Sequence, residues 1–118
     1  MDKPNITKTV INDDVVIIKP IKTLDNNNAH EMVNIITGVQ EDGYKTIVMD
    51  MTDLEFLSSA GVGSILGTIE TSREVGGDII LCNVPESINH ILDILDLIDY
   101  LTIRENKEKA IAMTGARI

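Results

Sequence analysis

Two consecutive serines in a glycine-rich turn are the residues of this sequence best suited to chemistry. The segment Leu57-Ser58-Ser59-Ala60-Gly61 precedes apolar residues at helical spacing, so the serines lie where a helix begins. The first N–H groups of a helix lack intrahelical acceptors and favour negative charge. A phosphorylated serine would therefore be stabilised there, and Ala60, Gly61 and Gly63 would leave room for a partner. Serine is also a common N-cap and glycine permits close packing, so a purely structural role fits too.

Other reactive groups lack the partners that catalysis or cofactor binding requires. Gly61-Val62-Gly63 lacks the third glycine of a dinucleotide fingerprint, and the sequence has no GxxxxGKS or GxxxxGKT phosphate loop. A serine nucleophile needs a positioned base, and His30 and His90 fall on predicted helices with no fixed relation to Ser59. Cys82 lies in an apolar strand, where cysteine behaves as a small hydrophobic residue. We therefore expect no enzyme activity, no cofactor and no metal site.

A phosphorylated aspartate is the rival interpretation. Asp50 ends a predicted strand, as the acceptor of a receiver domain does, and Asp53 follows closely. Receiver domains also need acidic residues after the first strand to bind Mg²⁺. Asp13 and Asp14 fall in the opening hairpin and suit that role poorly, so Asp50 is predicted to cap a loop.

The composition indicates one acidic globular domain spanning residues 1–118. A chain of 118 residues has room for one core, and 43% hydrophobic residues argue against disorder. The net charge of -9 argues against nucleic acid and anionic membranes as partners and favours a protein with a basic face. The N-terminal segment lacks the apolar core of a signal peptide, and the single cysteine agrees with a reducing compartment, so we expect a cytoplasmic protein.

Apolar patterning predicts an α/β fold in the order ββαβαβα and a tail. Two strands at 6–11 and 15–18 flank an Asn-Asp-Asp turn, and this hairpin should be antiparallel. The further elements are strands at 46–51 and 78–83, an edge strand near 100–103, and helices from Ala29, from the serines to Gly76-Gly77, from Pro85, and at 106–113. Pro85 is expected in the first turn of its helix, with Ile88, Ile91, Leu92 and Leu95 on one face. Strands alternating with helices imply a mostly parallel sheet, with 46–51 at its centre.

Two loops are expected to form one functional surface. Ligands of such folds collect at the carboxyl ends of strands, where loops lead into helices. The loop after Leu24 also supplies candidate N-caps for the first helix. The predicted partner-binding residues are Asp25, Asn26, Asn27, Asn28, Ser58, Ser59, Ala60, Gly61 and Gly63.

The stretch from Ile47 to Leu66, IVMDMTDLEFLSSAGVGSIL, resembles the signature of the STAS domain family, and most closely the bacterial anti-sigma factor antagonists. The likeness extends to Leu24-Asp25, to Gly76-Gly77 and to the third helix. It implies a mixed, mostly parallel sheet packed against about four helices. It also implies partner switching: the unmodified antagonist binds an anti-sigma factor that is a serine kinase, phosphorylation by that kinase releases it, and a PP2C-type phosphatase resets it.

The same resemblance implies that Ser59 is the phosphorylated residue. Family members commonly read Asp-Ser-Ser or Asp-Ser-Thr before the glycine, whereas this chain has Ser58 and Ala60 at the flanking positions. A related subset reads Ser-Ser-Ala-Gly, as here. The departure removes a neighbouring carboxylate, which leaves Asp25 as the acid that could contribute from the adjacent loop.

Two other functions stay open from the sequence. One is an α/β domain that senses a small anion or nucleotide at the same helix end without being modified. The other is a scaffold subunit of a signalling complex.

Overall fold

The computed structural model describes residues 5–114 of the chain. This part contains seven strands and four helices. In chain order they are β1 (Ile6–Val10), β2 (Val15–Pro20), β3 (Lys22–Leu24), α1 (Ala29–Glu41), β4 (Thr46–Asp50), β5 (Leu54–Leu57), α2 (Ser59–Glu74), β6 (Asp78–Cys82), α3 (Glu86–Ile94), β7 (Thr102–Arg104) and α4 (Lys107–Ala112). The predicted four helices and N-terminal hairpin are confirmed.

The main sheet has the strand order β1-β2-β4-β6-β7. β1 pairs with β2 in antiparallel orientation, and the other neighbours are parallel. The hairpin turn is closed by the side chain of Asn12, whose Oδ1 accepts hydrogen bonds from the backbone N–H groups of Asp14 and Val15 at 2.8 and 3.1 Å. The predicted mixed, mostly parallel sheet is therefore confirmed.

The core lies on both faces of this sheet. All five residues of β4 are buried, which confirms its predicted central place. Because side chains alternate along a strand, Ile47 and Met49 pack on the face covered by α1, α2 and α3, while Val48 packs on the face covered by α4. Most of the buried apolar side chains lie on the three-helix face.

A second, two-stranded sheet of β3 and β5 is missing from the predicted order, which treated neither segment as a strand. Along the chain, β3 begins two residues after the end of β2, and β5 begins four residues after the end of β4. The two short strands are parallel, and Leu24 lies opposite Leu57. The loops that leave their carboxyl ends carry the predicted functional residues.

The third helix differs from its prediction at both ends. Pro85 takes the N-cap position with ψ at 151°, one residue before the first turn. Leu95, predicted on the buried face, is 46% exposed, because the helix ends at Ile94 and Asp96 adopts a left-handed φ of 59°. Ile88 and Leu92 are buried as predicted.

Asp50 closes the turn after β4, which is the capping role predicted for it. It is 7% exposed, and its Oδ1 accepts hydrogen bonds from the backbone N–H of Thr52 at 3.1 Å, from the Thr52 hydroxyl, and from Asn83 Nδ2 at 3.1 Å. Burial alone would raise the pKa of Asp50, but these hydrogen bonds and the charge of Lys19 hold the pKa below its usual value of 3.8.

This lowered pKa predicts an acid-dependent loss of stability. A carboxylate with a depressed folded-state pKa stabilises the fold above its unfolded pKa, and the contribution disappears as the pH falls through the folded-state pKa. We expect Asp50→Asn to lower the free energy of unfolding at pH 7 and the difference from the wild type to shrink towards pH 3. Urea denaturation at both pH values measures this, with the exposed Asp93→Asn as a control. A difference that stays constant with pH would contradict the assignment.

Candidate phosphorylation and partner-binding site

Ser59 is the first residue of α2, and its side chain is exposed to solvent. Gly61 and Val62, one turn into the helix, donate their N–H groups to the Oγ and the backbone oxygen of Ser58. The helix therefore begins at the predicted serines. An exposed hydroxyl at the amino end of a 16-residue helix is accessible to an enzyme and lies in a field that favours negative charge.

The two neighbouring serines have different surroundings. Ser58 is the N-cap: its backbone is extended, at φ -90° and ψ 172°, and its Oγ accepts a hydrogen bond from Gly61 N at 3.2 Å. Its side chain is half-buried, whereas that of Ser59 is exposed. The Ser58 hydroxyl therefore supports the helix, and the Ser59 hydroxyl is the more accessible of the two.

The capping role of Ser58 can be tested by substitution. We expect Ser58→Ala to lower the free energy of unfolding by about 1 kcal/mol, because the helix loses its side-chain cap. Ser58→Asp should keep most of the stability, since a carboxylate also accepts from the helix N–H groups and its charge suits the helix dipole. Urea denaturation of the three proteins measures both effects. Equal stability of the alanine and aspartate variants would argue against a capping role.

Gly61 and Gly63 have different surroundings although both lie in the first turns of α2. Gly61 is buried, and a Cβ on it would lie 2.3 Å from the backbone oxygen of Leu24 and 2.9 Å from Leu57 Cδ1. Gly63 is exposed, and a Cβ there would meet nothing within 4 Å. The missing side chain of Gly61 thus serves the packing of α2 on the β3–β5 sheet, while Gly63 and the half-buried Ala60 remain open to a partner.

The loop of Asp25 to Asn28 lies against the serines, as the sequence predicts. The N–H of Ser58 donates to the backbone oxygen of Leu24 at 3.0 Å, which joins the two loops directly. Asn28 takes the N-cap position of α1 but makes no side-chain cap. Instead its buried amide accepts from Asp25 N at 2.9 Å and donates to the Thr23 oxygen at 2.8 Å. Asn28 therefore shapes the loop from within.

Asp25 is held by its own loop. Its Oδ2 accepts from the Thr23 hydroxyl at 2.7 Å, and its Oδ1 accepts from Asn27 N at 2.9 Å. The Thr23 hydroxyl, followed by the Asn27 N–H, lowers the pKa of Asp25 below its usual value of 3.8. Asp25 therefore adds a negative charge beside the serines, and Asn26 and Asn27 form the exposed tip of this loop.

Comparison with known proteins identifies the fold and the family. The family model described as the STAS domain matches residues 7–110 of the chain. The chain belongs to the STAS domain family. This STAS chain is similar to the anti-sigma F factor antagonist of Paenibacillus polymyxa, at 26% identity over 98 residues that cover 82% of the chain and 84% of the relative.

Solved structures share the fold of this STAS chain. The anti-sigma factor antagonist SpoIIAA in its unphosphorylated form has a TM-score of 0.80 at 21% identity, covering 96% of this chain and 99% of that one. The phosphorylated form of the Bacillus cell fate determinant SpoIIAA has a TM-score of 0.73 at 22% identity, covering 92% and 98%. The fold described above is therefore the fold of these antagonists.

The remaining candidate groups of this STAS chain lie on elements other than α2. His30 and His90 are exposed on α1 and α3. Cys82 is buried in β6, where burial and the nearby charge of Asp50 raise the pKa of its thiol to about 12. In the described part of the chain, no group of three histidine, cysteine or acidic side chains could hold a metal ion. None of the four helices within residues 5–114 has the length and the apolar content that a membrane-spanning helix requires.

Two residues near the serines, Thr23 and Phe56, are not among the site residues predicted from the sequence. Thr23 holds the Asp25 carboxylate, and Phe56 is 51% exposed on β5. Thr23 gives no signal in the sequence, because its role depends on the fold of the following loop.

Proposed function

We propose that this protein is an anti-sigma factor antagonist controlled by phosphorylation of Ser59. In its unphosphorylated form it binds an anti-sigma factor that is also a serine kinase, and this binding frees a sigma factor. Transfer of a phosphoryl group from ATP to Ser59 then weakens the complex. The single observation that carries the proposal is the exposed Ser59 hydroxyl at the first position of α2, beside a helix cap that already uses Ser58.

Local electrostatics support this switch. A phosphate adds about -1.5 to -2 charges at neutral pH. In the free protein, the amino end of α2 and solvent would accommodate that charge. In a complex the same group would lie within an interface, where desolvation and the nearby charge of Asp25 would oppose it. The proposed switch therefore needs only a local change.

The other parts of the proposed cycle belong to separate proteins. The kinase supplies ATP and the catalytic groups, and a PP2C-type phosphatase would remove the phosphate. We propose that this chain is itself no enzyme, needs no cofactor, and acts in the cytoplasm as one STAS domain over residues 1–118. Its net charge of -9 favours partners with a basic face over nucleic acid or an anionic membrane.

A kinase assay tests the proposed function. The purified protein is incubated with MgATP and each candidate serine kinase from the same genome, followed by intact-mass measurement and peptide mapping. We expect a gain of about 80 Da, the mass of one phosphoryl group, on Ser59. Ser59→Ala should gain nothing, and Ser58→Ala should still be modified. Modification of Ser58 in place of Ser59, or no modification by any of the kinases, would contradict the proposal.

Binding of a small anion at the same helix end is the alternative function. Inorganic phosphate titrated into the protein and followed by NMR separates the two. A switch controlled by covalent modification should show no saturable change at the amides of residues 59–62. Saturation there without a kinase would favour the sensing domain.

A further inference from the structure

A cavity of about 350 Å³ lies between α4 and the first two strands of the main sheet. Ile17 of β2 lies opposite Val48, which packs on the face covered by α4, and Thr9 of β1 lies opposite Ile17. Residues opposite each other in a sheet share a face, so this wall of the cavity faces α4 and not α2, which carries Ser59. The volume falls at the lower end of the range for small-molecule sites, about 300 to 1,000 Å³.

One end of the cavity is lined by three isoleucines. Ile17 and Ile111 of α4 belong to the same buried apolar cluster, and Ile11, just after β1, packs against that cluster. Ile111 follows Lys107 by four residues, so their two side chains share one face of α4. This end therefore favours an aliphatic group over a hydrated ion.

The other end of the cavity is polar and lies where the parallel strands end. Lys19, near the end of β2, and Asp50, the last residue of β4, both line it, and Thr7 adds a hydroxyl opposite Lys19. β7 ends at Arg104, which is level with Asp50 across β6. Lys107 lines the cavity three residues further along the chain. Charged groups from β2, β4 and α4 therefore surround an apolar interior.

Lys107 is a half-buried cation that has no carboxylate partner within residues 5–114. The other half-buried lysine and arginine side chains of that range do have partners. Lys19 Nζ lies 3.0 Å from Asp53 Oδ2. Arg73 Nε lies 3.0 Å from Asp78 Oδ1. Because lysine is rarely buried without a partner, and the chain carries a net charge of -9, the unpaired ammonium group of Lys107 indicates a place for an external anion.

Asp50 supplies the opposite charge with one free oxygen. Its Oδ1 accepts the three hydrogen bonds described above, whereas its Oδ2 accepts none from residues 5–114. No buried side-chain nitrogen or oxygen in that range lacks a partner, so Oδ2 is accessible where Asp50 lines the cavity. Burial, followed by the charge of Asp50, raises the pKa of the Cys82 thiol, and the charge of Lys107 lowers it. Both charges thus act on one atom, which places them at the same end of the cavity.

We propose that this cavity binds a free aliphatic α-amino acid, such as leucine, isoleucine or valine. The ammonium group of the ligand donates to Asp50 Oδ2, its carboxylate pairs with Lys107, and its side chain lies on the three isoleucines. A ligand with only the carboxylate would bring a second negative charge towards Asp50, and one with only the ammonium group would leave Lys107 unpaired. Attraction between such charges is stronger beside an apolar wall than in open water.

Three related compounds test which groups of the ligand are recognised. Leucine is titrated into the isotope-labelled protein and followed by NMR, and we expect saturable shifts at the amides of Thr9, Ile17 and Ile111, with a Kd of about 1 mM or tighter. 4-Methylpentanoate lacks only the ammonium group of leucine, and 3-methylbutylamine lacks only its carboxylate. Each should bind at least about tenfold more weakly, because each loses one charged hydrogen-bonding group.

Lys107→Gln and Lys109→Gln form a matched pair of variants. Lys109 lies two residues further along α4, is exposed, and pairs with Glu105 outside the cavity. We expect Lys107→Gln to weaken leucine binding at least about tenfold and Lys109→Gln to change it by less than about twofold. Circular dichroism checks folding, and if Lys107→Gln is unfolded, Lys107→Met takes its place with the same expected direction.

The outcomes that would overturn the proposal are distinct. Leucine that causes no saturable shift up to about 10 mM would show that the cavity is no amino-acid site. Equal affinities for leucine and 4-methylpentanoate would refute recognition of the ammonium group. Equal affinities of the wild type and Lys107→Gln would refute the pairing with the carboxylate. Each of these results leaves the proposed phosphorylation of Ser59 untouched, because that residue lies on the other side of the main sheet.

Discussion

Ser59→Asp will bind the anti-sigma factor at least about tenfold more weakly than the wild type, and phosphorylation of Ser59 will weaken binding by a hundredfold or more. A coupling of about 3 kcal/mol corresponds to more than a hundredfold in affinity. The carboxylate of aspartate carries about half the charge of a phosphate and fewer oxygens, so its effect is smaller. Ser59→Ala should bind within about threefold of the wild type, because it adds neither charge nor volume.

Calorimetry with the purified anti-sigma factor measures these affinities. The matched control is Thr71→Asp, which places the same charge on an exposed position of the same helix, about 18 Å further along it. That variant should bind almost as the wild type does. If Ser59→Asp and Ser59→Ala bind equally well, the charge at Ser59 does not set the affinity and the switch is refuted.

Gly61→Ala will lower the free energy of unfolding by about 3 kcal/mol, the upper end of the usual cost of overpacking. The new methyl group would lie 2.3 Å from the Leu24 backbone oxygen, and a backbone atom cannot move aside as a flexible side chain can. The helix must therefore shift away from the β3–β5 sheet. Because α2 begins two residues earlier, phosphorylation of Ser59 should slow as well.

Gly63→Ala provides the control two residues further along the helix. Its methyl group meets nothing within 4 Å, and alanine favours a helix over glycine by about 1 kcal/mol. This variant should therefore be slightly more stable than the wild type. Urea denaturation measures both proteins. Effects of the same sign in the two variants would show that helix propensity, and not the approach to Leu24, governs this turn.

The main sheet and its helices could be predicted because their signals are local. β4 contains three consecutive apolar residues, Ile47 to Met49, and the apolar residues from Val62 to Ile69 have helical spacing. The start of α2 was also predictable, since serine at an N-cap has a direct physical reason. Leu95 was mispredicted because its spacing fits α3, whereas the left-handed backbone of Asp96 ends the helix first.

The β3–β5 sheet could not be predicted, because its pattern depends on pairing between distant segments. β3 has three residues, too few to show a period. The four residues of β5 are in turn buried, exposed, exposed and buried, because the bulge at Glu55 breaks the alternation that is typical of a strand. The network around Asp25 was hidden for a related reason: Thr23 and Asn28 hold the loop only once β3 has fixed where it begins.

The order of the strands in the main sheet suits folding during synthesis. From β1 through β2, β4 and β6 to β7, each strand pairs with the preceding strand of that sheet, so the edge it needs is already in place when it leaves the ribosome. Domains commonly fold from the N-terminus as they are made. A nascent chain that has emerged as far as Asp50 already contains the hairpin and the central strand, and β6 and β7 then add in turn to an edge of the sheet that has already formed.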